Sequence, residues 1–216
     1  MERIGNFCTE EYDAFMGGTR STVIGRPRGF DTDEALERAM QVFWRQGYEG
    51  ASLIDLTRAM GITKTSMYAA FGNKEQLFRK ALQRYVEGPG NYLDSALAEP
   101  TARAAAEAIL RGAASTSTLP EGFGGCLTVQ GALPSCDDSR IVHDVLVQWR
   151  NASGALVEER FRRAVDEGDL PGDADATRLS RYITTIAFGL TVQAVNGLDH
   201  AELDEIVDQT MLFWRP

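Results

Sequence analysis

The chain has 216 residues, of which 44% are hydrophobic and 25% charged, a balance that excludes disorder over most of its length and suits one or two compact units. Its longest apolar stretch, Tyr182 to Val195, is interrupted by Thr184, Thr185, Gly189, Thr191 and Gln193, so no membrane span is expected. Cys8, Cys126 and Cys136 are odd in number and no secretory pattern precedes them, which reads as reduced thiols in a cytoplasmic protein.

The net charge of -9 is unevenly spread. Residues 26–86 hold ten Lys and Arg against seven Asp and Glu, giving +3, whereas the rest holds twelve against twenty-four, giving -12. An electropositive module on an acidic body is a feature of chains that bind polyanions.

Residues 1–25 have no clear period and read as a flexible leader around Gly17-Gly18-Thr19. From Asp33, apolar Ala35, Leu36, Ala39, Met40 and Phe43 recur at helical spacing, with Asp31 and Glu34 as a capping pair and Gly47 as the stop. Ser52 with Asp55 opens a second helix that ends at Met60 before Gly61. Thr63 opens a third through Phe71, and Asn73 with Gln76 caps a fourth that carries Leu77, Phe78, Ala81, Leu82 and Tyr85.

Gly88-Pro89-Gly90 marks a boundary where the charge changes sign, separating a domain at 26–87 from one at 91–216. Beyond it the pattern predicts helices over 91–98, 101–117, 126–133 and, the longest, 138–168, with a loop at 120–125. The helix expected at 175–196 is apolar on two faces, one of Leu179, Ile183, Ile186 and Leu190 and the other of Thr184, Phe188, Val192 and Val195. Such a helix lies deep in a core or packs against a partner subunit with its second face. A last helix is expected over 202–214, and no segment has the period of a strand.

Ser52 to Phe71 has the grammar of a helix-turn-helix. Leu56, Ala59, Ile62, Met67 and Phe71 would hold two short helices at a fixed angle across Gly61, leaving Thr63, Lys64, Thr65, Ser66 and Tyr68 outward. Hydroxyls, an ammonium and a phenol at a helix N-terminus suit phosphates and base edges, and Lys74 opens the next helix where a backbone phosphate could lie. Arg26 and Arg28, in the basic arm GRPRG, are of the kind that enters an A·T-rich minor groove.

From Gly25 to Leu82 the runs GRPRGFD, FWRQGYEGASL and DLTRAMGITKTSMYAAFGNKEQLF resemble the DNA-binding domain of the TetR family. The resemblance implies an all-α protein, with an N-terminal three-helix helix-turn-helix domain followed by a larger helical bundle that binds a small effector and dimerises. Its function would be a ligand-responsive transcriptional regulator, a repressor released from a near-palindromic double-stranded DNA operator. By the same resemblance Thr63 to Tyr68 lie on the recognition helix and Tyr68 and Lys74 hold phosphates; Ser52 is a further DNA-binding candidate, and Ala69 and Ala70 replace the larger side chains of many relatives.

Phe123, Trp149 and Phe188, with Phe161 and Trp214, are candidates to line a pocket for a partly apolar effector, the alternative being plain core. Thr184, Phe188, Val192 and Val195 are candidates for a homodimer interface. An enzyme or a metal site would have to draw on Cys136 and His143, with Cys126, Asp137 and Asp144 nearby in sequence; neither a cofactor, a metal nor a catalytic residue is expected. A thiol sensor at Cys126 or Cys136 stays open beside an inert core role.

Overall fold

The computed structural model describes residues 29–119, 123–131 and 140–214, and one compact unit begins at Thr32. Its first helix, α1 (Thr32–Gly50), buries Ala35, Ala39, Met40, Phe43 and Trp44 and carries Asp33 and Glu34 in the first turn, where the helix dipole favours carboxylates. At Gly47 the backbone swings to φ 67°, ψ 177°, so the regular helix stops there as its sequence predicts and a short separate turn follows. A Cβ at this position would meet the Gly131 carbonyl oxygen at 3.3 Å. Gly47→Ala is therefore expected to cost about 1–2 kcal/mol from its left-handed φ, read as a lower urea midpoint with an unchanged slope.

Three further helices complete the N-terminal group: α2 (Leu53–Met60), α3 (Lys64–Phe71) and α4 (Lys74–Glu87). Each begins where a short polar side chain accepts the amide three residues on: Ser52 from Asp55, Thr63 from Ser66, Asn73 from Gln76. The α4 start is a full capping box, since Gln76 also accepts the Asn73 amide. Between α2 and α3, Gly61 takes φ 67°, ψ 28°; its amide bonds to Arg58 and that of Ile62 to Thr57, the two-bond Schellman pattern that turns the chain sharply. Phe43 meets Phe78 edge-on with centroids 5.0 Å apart, and Leu56, Met67, Leu77 and Leu82 are fully buried around them.

The C-terminal part contains α5 (Leu93–Leu97), α6 (Ala102–Ser117), α7 (Leu127–Gln130), α8 (Arg140–Asp166), α9 (Ala176–Val195) and α10 (His200–Leu212). Small residues on α6, among them Ala102, Ala106, Ala113 and Ala114, let α9 and α8 approach closely, and Ile183, Leu190, Phe161, Leu203 and Val207 fill the space between. Phe161 is core, with Trp214 beside it at 5.9 Å.

Two differences from the sequence reading have physical reasons. Thr118–Leu119 (β1) pairs antiparallel with Phe123–Gly124 (β2), a ladder too short to leave a period-two pattern. The helix expected over 91–98 shortens to Leu93–Leu97, because neither flank supplies a side-chain cap.

Candidate nucleic-acid interface

Burial divides the Ser52–Phe71 segment as a helix-turn-helix requires. Leu56, Met67 and Phe71 are buried, Ala59 and Ile62 half-buried, and Ser52, Thr63, Lys64, Thr65 and Tyr68 exposed. Ser66 departs from the outward set, since it is half-buried and its hydroxyl lies 2.9 Å from that of Thr63. The Thr63 hydroxyl caps the Ser66 amide at 3.1 Å. The amides of Lys64 and Thr65 have no carbonyl in a preceding turn, which suits them to an external anion.

Tyr68, 43% exposed, stands one turn along α3 with the Lys64 ammonium 5.8 Å from its ring centroid. The pair presents an aromatic face, a phenol and a positive charge on one exposed surface. Ser52 holds Asp55, donating to its carboxylate at 2.6 Å and accepting its amide at 3.1 Å, so much of its hydrogen-bonding capacity goes to the α2 cap.

Lys74 is placed differently from Lys64. It is half-buried, and its Nζ lies 4.4 Å above the ring centroid of Tyr48. Burial lowers the pKa of this ammonium below the ordinary lysine value, and Glu49 opposes the shift. The Tyr48 phenol is pushed upward by burial and then by Glu75 and Glu49, so it stays protonated at neutral pH. Sequence reasoning named Lys74 but missed Tyr48, whose aromatic neighbours Phe43 and Phe78 come from α1 and α4.

The N-terminal helices hydrogen-bond to a short segment of the C-terminal part, Gly125 to Gly131. Trp44 Nε1 donates to the Gly125 carbonyl at 3.0 Å, Tyr48 N donates to the Gly131 carbonyl at 2.8 Å, and the Tyr85 hydroxyl donates to Cys126 Sγ at 3.3 Å. Burial and then Cys126 raise the Tyr85 pKa well above that of free tyrosine, keeping its donor proton in place. The Cys126 thiol is buried and also lies 2.9 Å from the Thr128 hydroxyl.

An open cleft of about 420 Å³ lies at this joint, with Trp44, Tyr48, Gln130, Val192 and Val195 in its lining. Trp149 and Phe188, both half-buried, do not line it. Of the expected α9 faces, Ile183 and Leu190 enter the core, whereas Val192 and Val195 are 40% and 54% exposed and Thr184 and Phe188 half-buried. Arg26, Arg28, Cys8, Cys136, Asp137 and the side chain of Phe123 lie outside the described residues, as do residues 1–25. Among the described residues no group of His, Cys, Asp and Glu is arranged to hold a metal, and no helix is long and apolar enough to cross a membrane.

Comparison with known proteins agrees with this geometry. Residues 35–81 match the family model described as bacterial regulatory proteins, tetR family. The chain is 29% identical to the HTH-type transcriptional repressor ComR of Escherichia coli K12, over 88% of this chain and 91% of that protein. It is 32% identical to the HTH-type transcriptional regulator YezE of Bacillus subtilis 168, over 87% of this chain and 98% of that one. Among solved structures it resembles the TetR family regulator CifR, in a cysteine-substituted form complexed with a 26-bp double-strand operator DNA. That likeness has 43% identity and a TM-score of 0.84, and it spans 88% of this chain and all of that one. With its sharp turn at Gly61, its outward Thr63-to-Tyr68 surface and this similarity over most of its length, the chain belongs to the TetR family of bacterial transcriptional regulators and is not an enzyme.

Proposed function

We propose that the protein is a cytoplasmic, ligand-responsive repressor that binds a near-palindromic double-stranded DNA operator as a homodimer. The observation that carries this reading is the outward surface of α3, where Thr63, Lys64, Thr65 and Tyr68 are exposed while Met67 and Phe71 on the same helix are buried. Repressor names among the relatives and the operator-bound neighbour support it. In this reading residues 26–87 form the reading head, residues 91–216 the body, and α3 enters the major groove.

Thr63, Lys64, Thr65, Tyr68 and Lys74 meet phosphates and base edges, Ser66 and Ser52 hold the two helix starts in shape, and Arg26 and Arg28 reach the minor groove. Thr184, Phe188, Val192 and Val195 meet their counterparts on a second copy. A partly apolar effector enters the body beside Phe123, Trp149 and Phe188. It releases DNA by favouring an arrangement in which the two reading heads no longer match successive half-sites.

The test is a titration of the full chain, with Tyr68→Ala and Lys74→Ala beside it, against DNA from around its own gene across a salt series. Specific binding should weaken steeply with salt, each variant should lose about tenfold in affinity, and Lys74→Ala, which removes a cation, should also reduce the slope of log K against log salt by about 0.9 for each phosphate it neutralises. Binding that is insensitive to salt, or to both substitutions, would reject the assignment.

A further inference from the structure

We infer that Tyr48 is the positioning residue for Lys74 and ties this cation to the body through Gly131. The inference rests on the reading that Lys74 meets a DNA phosphate. Lys74 is the first residue of α4, so the capping box of Asn73 and Gln76 fixes its backbone but not its four-carbon stem. The ring of Tyr48 supplies the missing constraint. Its centroid lies 4.4 Å from Nζ, well inside the range of about 6 Å over which the negative face of an aromatic ring attracts an ammonium. Lys64 and Lys80 stand farther from their rings, at 5.8 and 5.6 Å, and both are exposed.

The ring itself is held firmly. Phe78 meets it edge-on at 5.4 Å and Phe43 lies nearly parallel at 6.2 Å. Directly after the Gly47 kink, the Tyr48 amide donates to Gly131 at 2.8 Å. Gly131 follows α7, which packs on α8 and α9. A shift of this segment therefore moves the Tyr48 backbone, its ring and the ammonium above it. Phosphate contact and body conformation meet in a single residue.

The experiment replaces Tyr48 in the full chain by phenylalanine and then by mono-, di- and trifluorophenylalanine, and titrates each protein with the operator fragment. Fluorine changes ring shape little but weakens the negative face. Tyr48→Phe should bind like the wild type, and affinity should then fall stepwise by about three- to tenfold across the series. In a Lys74→Ala background the same series should be flat. A flat series in both backgrounds, while Lys74→Ala alone still lowers the salt slope, would overturn the positioning role and leave the DNA reading intact. A Lys74→Ala protein with the wild-type slope would instead remove Lys74 from the phosphate and the inference with it.

Gly131→Ala tests the tie to the body, because its new Cβ would meet the Leu127 carbonyl oxygen at 2.5 Å and force the backbone to move. It should lower affinity roughly threefold in the wild type and leave the Lys74→Ala protein unchanged. Equal losses in both would overturn the tie.

Discussion

Val192→Asp combined with Val195→Asp is expected to leave the chain folded but monomeric, with operator affinity lowered by about 100-fold or more. Both valines are partly exposed in the single chain, at 40% and 54%, so a carboxylate at either position is hydrated in the monomer and should cost it little. In a symmetric dimer each would be buried opposite its own copy, and desolvation and like-charge repulsion would together cost several kcal/mol. A monomer holds one half-site at a time and forfeits the local concentration that the second reading head provides, worth about 10²–10⁴ in apparent affinity. Sedimentation velocity gives the oligomeric state and a fluorescence titration the affinity. A double variant that stays dimeric and binds operator normally would take the interface away from this face. The same valines line the cleft beside Trp44, so intact dimers with altered effector response would assign them to that cleft instead.

The helix-turn-helix and the helix after it were legible in the sequence because their determinants are local. Ser52 with Asp55 and Asn73 with Gln76 form the caps their three-residue spacing predicts, and Thr63 caps its helix through the Ser66 amide. Gly47 and Gly61 stop their helices because each adopts a positive φ that side chains resist. Similar arguments located α6, α8, α9 and α10 to within a few residues, since each carries an apolar stripe of helical period. Spacing says nothing, however, about partners remote in sequence. Trp44 and Gly125 are 81 residues apart, and Tyr85 and Cys126 are 41 apart. Neither pair belongs to a local pattern, so these contacts of α1 and α4 with the Gly125–Gly131 segment became visible only in three dimensions.

The same limit explains α9 and the aromatic residues. Hydrophobicity marked both faces of α9 as apolar, but only packing separates Ile183 and Leu190, in the core, from Val192 and Val195, outside it. Composition likewise could not tell Phe161, wholly buried against its neighbours, from Phe188, which keeps an exposed edge. Lys74 could be singled out as a candidate from its place at a helix start, while Tyr48, whose ring lies beneath its ammonium, could not, because a tyrosine in an aromatic cluster reads as ordinary core.

Trp44→Ala is expected to destabilise the protein by about 3–5 kcal/mol, and Trp44→Phe by about 1–3 kcal/mol. The indole is 5% exposed and meets Tyr85 edge-on with centroids 4.7 Å apart, so truncation to alanine removes a large buried surface and opens a cavity. Phenylalanine keeps most of that packing but cannot donate, which leaves the Gly125 carbonyl without its indole partner in a buried setting. For a chain of this length the alanine variant should melt roughly 6–20 °C lower. Where the loss falls matters as much as its size. Trp44 fastens α1 to the Gly125–Gly131 segment, whereas the core of α6, α8, α9 and α10 is built from other residues. Hydrogen exchange should therefore quicken first in α1 and α4 and in residues 125–131, with α6 and α9 keeping their protection. Uniform quickening through α1 and α9 alike would mean that head and body open as one cooperative unit, and Trp44 would then be a core residue rather than the fastening between them.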